Sequence, residues 1–118
     1  MIILRLMGGL GNQLFSYAAA RRVSIVNNIE LIIDDTTGFI NDHKYQRRSQ
    51  LDNFNIPCRK ASYIERLEPF SKIRRKILLS YNNYKPFNKR SYIKQKGPDF
   101  DSRLLRLKPK RNLYLEGY

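Results

Sequence analysis

The sequence predicts an α/β fold built on a parallel sheet, and three observations carry that expectation. Residues 1–33 read as strand, glycine loop, helix and strand. Two acids, Asp34 and Asp35, follow the second strand. A further apolar run, Leu113 to Glu116, lies far along the chain. Strand–helix–strand units are the pieces from which parallel sheets with crossover helices are assembled.

The first strand, Ile2 to Leu6, is short and apolar, with Arg5 its one polar residue, the pattern of a buried strand. The loop that follows holds Gly8, Gly9 and Gly11, which leave no side chains in the way of an approaching group. Asn12 reads as the N-cap of the next helix. From Gln13 the apolar residues fall on two adjacent helical lines. One is Leu14, Ala18 and Ile25, and the other is Phe15, Ala19, Val23 and Val26. Together they form one stripe expected to face a core. Asn27-Asn28 ends the helix, and Ile29 to Ile33 is the second strand. Ligands of such sheets bind beyond the carboxyl ends of the strands. That places Met7 to Asn12 and Asp34-Asp35 on one rim.

Further along, Ser62 and Glu65 have the spacing of a capping box. Pro69 either breaks the helix that follows or starts a second one. Beyond it Phe70, Ile73, Ile77 and Tyr81 share one helical face, and Lys72, Arg74, Arg75 and Lys76 cover the rest. This basic amphipathic helix is open to three readings: a solvated outer face, peripheral contact with an anionic membrane, or nucleic-acid binding. Residues 82–100, with Pro86, Gly97 and Pro98, read as surface loop. Leu113 to Glu116 is the third strand, and a sheet of three such strands has open edges that invite self-association.

A chain of 118 residues with 42% hydrophobic content allows one domain and a modest core. No segment approaches the roughly 20 apolar residues of a membrane span. Arg5 and the glycines break the opening apolar run, so it does not read as a signal peptide. Cys58 is the one cysteine and His43 the one histidine, which excludes an internal disulfide and offers no metal-ligand spacing. The net charge is +13, and it is uneven: residues 44–111 hold 20 basic and 5 acidic side chains. No RNP, KH or zinc pattern accompanies that charge, so nucleic acid is not expected as a partner.

A helix N-terminus with bare amides attracts anions, phosphate above all. GGLGN lacks the spacing of a dinucleotide fingerprint and the GK[ST] of a P-loop. On that evidence alone, a packing turn and a phosphate site both remain open. The stretch RLMGGLGNQLFSYAAARR resembles the N-terminal signature of the bacterial α-1,2-fucosyltransferase family. RRSQLDNFNI (residues 47–56) and YLEGY (residues 114–118) are similar to later family segments and occur in family order. Ser16 stands where glutamine is common in the family. The family's downstream HxRRxD motif is missing, and HKYQRR (residues 43–48) does not reproduce its spacing and reads as a polar loop.

The resemblance implies a GT-B arrangement of two Rossmann-like domains with the site between them. Residues 1–118 would be a single partial N-terminal domain, with the GDP-binding domain that bears HxRRxD absent. It implies inverting transfer of fucose from GDP-fucose to a galactosyl or similar hydroxyl in surface glycan synthesis. The family needs no metal and no cofactor beyond the donor substrate. The chain alone is expected to be inactive. Charge developing on the leaving diphosphate would be met by oriented donors, here Gly8, Gly9, Leu10, Gly11, Asn12 and Gln13. Asn12 serves either as such a donor or as a cap. Arg5 either reaches the rim or pairs with Asp34 or Asp35. Those two acids either act at the rim or hold turns, and no catalytic base is assigned. The partners implied are a nucleotide-sugar donor and a glycan acceptor. The implied location is the cytoplasm, with Lys72, Arg74, Arg75 and Lys76 as the candidates for contact with the inner face of the membrane. The competing class is a non-catalytic basic module that binds anionic membrane or nucleic acid.

Overall fold

Strand alternation sets the architecture. In β1 (Ile2–Arg5), Ile2 and Leu4 point to one side of the sheet and Ile3 and Arg5 to the other. The computed structural model describes residues 1–97, 99–109 and 112–117. Pro98 of the predicted loop, Arg111 at the end of the basic stretch and Tyr118 of the YLEGY segment lie outside the described residues.

β1 lies between β2 (Leu31–Asp34) and β5 (Leu113–Glu116), with Leu4 opposite Ile33 on one side and Leu115 on the other. β3 (Arg59–Lys60) extends the sheet beyond β2, and β4 (Tyr92–Lys94) extends it beyond β5. All four pairings are parallel, and the order is β3-β2-β1-β5-β4. The described residues form a small α/β domain with a five-stranded parallel sheet and two α-helices, compatible with a Rossmann-like fold. The chain winds outward from β1 through β2 to β3, then crosses to the far edge. From β4 it steps back inward to β5 beside β1, and open α/β sheets place their ligands beyond the carboxyl ends of such strands.

The predicted first and third strands are present, and the second is shifted, running from Leu31 to Asp34. β3 and β4 were not expected, because each is very short and lies in a cation-rich stretch. The sheet keeps two open edges, at β3 and at β4. The edges are strands of two and three residues bearing Arg59, Lys60 and Lys94, and short charged edges resist further pairing.

One face of the sheet is aliphatic. Ile2, Leu4, Leu31, Ile33, Ile93, Leu113 and Leu115 meet Ala20 and Val23 of helix α1 (Leu10–Asn27), together with Leu104 of the 3-10 turn Ser102–Arg106 and Leu107 just after it. Burying these side chains contributes roughly 1.5–3 kcal/mol each.

The phase of α1 departs from the predicted stripe. Its buried residues are Gln13, Ser16, Ala20, Val23 and Ser24. Val23 is the buried member of the predicted set and Ala19 packs at the core margin, whereas Leu14, Phe15, Ala18, Ile25 and Val26 face outward. Specific hydrogen bonds hold this phase. Ser24 Oγ donates to the Ile29 carbonyl (2.5 Å), and Asn27 Nδ2 donates to the Leu107 carbonyl (3.0 Å). Gln13 makes three more, described below. Asn28 closes the helix at φ 52°, ψ 50°, a left-handed C-cap that Asn accepts more readily than most residues.

The second helix, α2 (Ser71–Asn82), lies on the opposite face against β4. The Ser62–Glu65 box forms: Ser62 N–H donates to Glu65 Oε1 (2.9 Å) and Glu65 N–H to Ser62 Oγ (3.4 Å). It caps a single turn rather than a helix, and Pro69 separates that turn from α2. The bidentate Arg59 guanidinium, followed by Ser62 N–H, holds the Glu65 carboxyl down to about 2.

Candidate functional site

Gly8 follows β1 with φ +77°, and a Cβ there would meet Asn12 Nδ2 at 2.9 Å. Gly9 is extended (φ −80°, ψ 178°) and is itself the N-cap of α1. This corrects the N-cap assigned to Asn12, which lies within the first turn. The helix begins earlier than expected because Gly9 accepts its first hydrogen bond, from Gln13 N–H at 3.0 Å. The amides of Leu10, Gly11 and Asn12 therefore have no carbonyl within the helix to meet. All three residues are exposed, and a Cβ on Gly11 would enter open space. The loop opens at the carboxyl rim.

Gln13 takes a different position. Its side chain is fully buried, and both ends of the amide are engaged. Nε2 donates to the carbonyls of Gly8 (3.0 Å) and Arg48 (2.9 Å), while Oε1 accepts from Gln50 N–H (2.8 Å). Gln13 thus clips the segment that begins at Arg47 to the glycine loop.

As a result, the Arg47 guanidinium lies beside Gly9, with Nε 3.8 Å from where a Cβ would stand. Arg47 stacks on the Tyr45 ring at 4.4 Å, and Asp42 holds the turn by accepting from the N–H groups of Tyr45 (3.1 Å) and Arg47 (3.3 Å). An open groove of about 720 Å³ runs alongside, lined by Asp35, Thr36, His43, Arg47, Arg48 and Ser49 among others. Read from sequence, HKYQRR is a polar loop, and it is one. What sequence reasoning missed is that Arg47 is brought to the glycine loop, and its one signal was the family-like RRSQLDNFNI segment that starts there.

The second face of the sheet carries a closed ring of polar groups below the rim. Arg5 Nη1 donates to Glu116 Oε1 (2.8 Å), and its Nε and Nη2 reach Thr37 Oγ1 (3.1 Å) and the Thr37 carbonyl (3.0 Å). Thr37 donates to Asp34 through its hydroxyl and its N–H. Arg75 Nη2 pairs with Asp34 Oδ2 (2.8 Å), while Nη1 donates to the Tyr92 hydroxyl (3.3 Å), which in turn donates to Glu116. Burial, with the neighbouring Glu116 carboxylate, pushes the Tyr92 phenol up to about 12.

The ring decides several open questions. Arg5 pairs with Glu116, not with Asp34 or Asp35. Asp34 is buried and holds a turn. Asp35 is tied to Lys60, which also holds Asp52. Arg75 is corrected from outward cation to buried ion-pair partner, because Asp34 beneath α2 draws it inward.

Burial pushes the Cys58 thiol up, which disfavours the thiolate needed for nucleophilic chemistry. Among the described residues no three of His, Cys, Asp and Glu converge as a metal site, and no helix is long and apolar enough to cross a membrane. The exposed Arg47 guanidinium and the bare amides of the glycine loop beside it are suited to holding an anion at the rim. Comparison of the chain with protein-family models, curated proteins and solved structures found no match.

Proposed function

We propose that the chain is the glycine-loop part of an inverting fucosyltransferase that uses GDP-fucose, in a GT-B arrangement of two Rossmann-like domains. The observation that supports this most is the Arg47 guanidinium set against Gly9 at the open rim, within a segment order that resembles the family. In this reading the amides of Leu10, Gly11 and Asn12 and the Arg47 side chain stabilise charge developing on the leaving diphosphate. Gln13 is a positioning residue that keeps Arg47 in place. The arginines expected to clasp the diphosphate bidentately belong to the HxRRxD motif, which this sequence lacks.

The test measures GDP affinity and acceptor-dependent GDP release from GDP-fucose. The 118-residue chain is expected to bind GDP weakly, less so at high salt, and to give no acceptor-dependent turnover. Arg47→Ala should weaken GDP binding roughly tenfold or more, since hydrogen bonds to charged groups are worth about 1.5–3 kcal/mol. Lys89→Ala, which removes the same charge elsewhere, should have a much smaller effect. Gly9→Ala has room in the fold, whereas Gly9→Val puts a branch between the amides and Arg47 and should weaken binding further. Equal GDP affinity in the parent, Arg47→Ala and Gly9→Val would overturn the rim site.

A further inference from the structure

The inward side of α2 is mixed, with Leu78 and Leu79 half-buried beside two buried polar residues. Arg75 and Asn82 are its buried residues. Arg75 is held by Asp34, and Asn82 Oδ1 accepts from Ser91 N–H at 2.7 Å. Its apolar row faces away from the sheet: Ile73 is 60% exposed, Ile77 64% and Tyr81 63%, and Phe70 just before the helix is 75% exposed. At 100° per residue, Lys72 and Lys76 flank this row on one side and Arg74 on the other. Lys85 Nζ sits 4.2 Å over the Tyr81 ring at the end of the row. Residues 69–98 contain nine Lys and Arg side chains and no acid. The nearest preceding acids are already engaged, Glu65 by Arg59 and Glu68 by Arg66.

We infer that the outward face of α2 is a docking surface for an anionic lipid bilayer. An apolar row bordered by cations is the pattern of a helix lying in the membrane interface, with rings and aliphatic side chains at the acyl boundary and ammonium groups among lipid phosphates. The charge is complementary to an anionic leaflet along the whole 69–98 stretch, and a polyanion without an apolar layer would leave Ile73 and Ile77 unused. The surface consists of Phe70, Lys72, Ile73, Lys76, Ile77 and Tyr81. Arg75 has no part in it, since its guanidinium is spent beneath the helix. This inference is independent of the fucosyltransferase reading.

Flotation of the 118-residue chain with phosphatidylcholine vesicles, and with vesicles containing one quarter phosphatidylglycerol, tests it. The parent should bind the anionic vesicles at least tenfold better. Lys72→Gln with Lys76→Gln should lower that binding roughly 30-fold, at about a factor of five per charge near the surface. Ile73→Ser with Ile77→Ser should also abolish tight vesicle binding while leaving binding of a single-stranded oligonucleotide unchanged. An environment-sensitive dye on Ile73→Cys should shift to the blue on anionic vesicles. Equal binding of parent and the Ile73/Ile77 variant, or a dye that stays in water, overturns the proposal and leaves a general attraction to polyanions. Equal binding to neutral and anionic vesicles overturns it as well.

Discussion

The two faces of the sheet are made by the same strands and held by different physics. Toward α1, Ile2, Leu4, Ile33 and Leu115 exclude water and fill volume. Toward α2, Arg5, Asp34, Tyr92 and Glu116 alternate with them and are held in a ring of ion pairs and hydrogen bonds closed by Arg75. The first face tolerates other apolar side chains of about the right size. The second tolerates change only in matched sets, because a buried charge without its partner costs far more than the pair contributes.

The largest test of that contrast is Asp34→Ala. Asp34 is fully buried and Arg75 nearly so, so the orphaned guanidinium should cost about 3–5 kcal/mol in urea unfolding. Adding Arg75→Met should recover much of the loss, whereas Leu4→Ala on the other face should cost about 2–5 kcal/mol with no second-site rescue from Arg75. A double variant as unstable as the sum of the singles would erase the distinction between the faces.

A smaller effect comes from Tyr92. An unfolded tyrosine ionises near 10, while Tyr92 is pushed up to about 12 by burial and Glu116. The native state keeps this proton longer, so its stabilisation is complete below pH 10 and is lost as pH rises toward 12. Tyr92→Phe should lower stability at neutral pH by about 1.5–3 kcal/mol, the worth of a hydrogen bond to a charged group. It should also flatten the decline between pH 10 and 12. A variant whose decline matches the parent's would place the alkaline sensitivity elsewhere.

The smallest effect is expected at Phe15. It lies on the outward side of α1 and is 76% exposed, so Phe15→Ser should change the free energy of urea unfolding by no more than about 0.5 kcal/mol. A loss comparable to that of Leu4→Ala would restore the inward stripe predicted from the helical spacing.

Those expectations show which parts of the fold were legible. The strand–loop–helix–strand unit and β5 could be read because apolar runs bounded by Gly, Asn and Asp leave few alternatives. The phases of both helices could not. Apolar spacing turned Phe15 inward and left the side taken by Ile77 open, whereas the hydrogen bonds of Gln13, Ser24, Arg75 and Asn82 hold both residues outward. Two of the partners, Arg48 for Gln13 and Asp34 for Arg75, lie 35 and 41 residues away, and no local periodicity encodes them. At the site, the glycine loop and its rim were legible from strand direction. Arg47 was not, because its place depends on the Gln13 clip.

The central position of β1 also bears on the order of synthesis. β1 pairs with β2 through nearby chain, but its other neighbour is β5, and Arg5 meets Glu116 across 111 residues. Until β5 leaves the ribosome, β1 stays a sheet edge and Arg5 lacks its carboxylate. Closing the middle of the sheet therefore waits for β5, and long-range parallel pairing of this kind is intrinsically slow. Between the synthesis of β2 and that of β5, one side of β1 is an apolar edge without its partner, a natural substrate for chaperones.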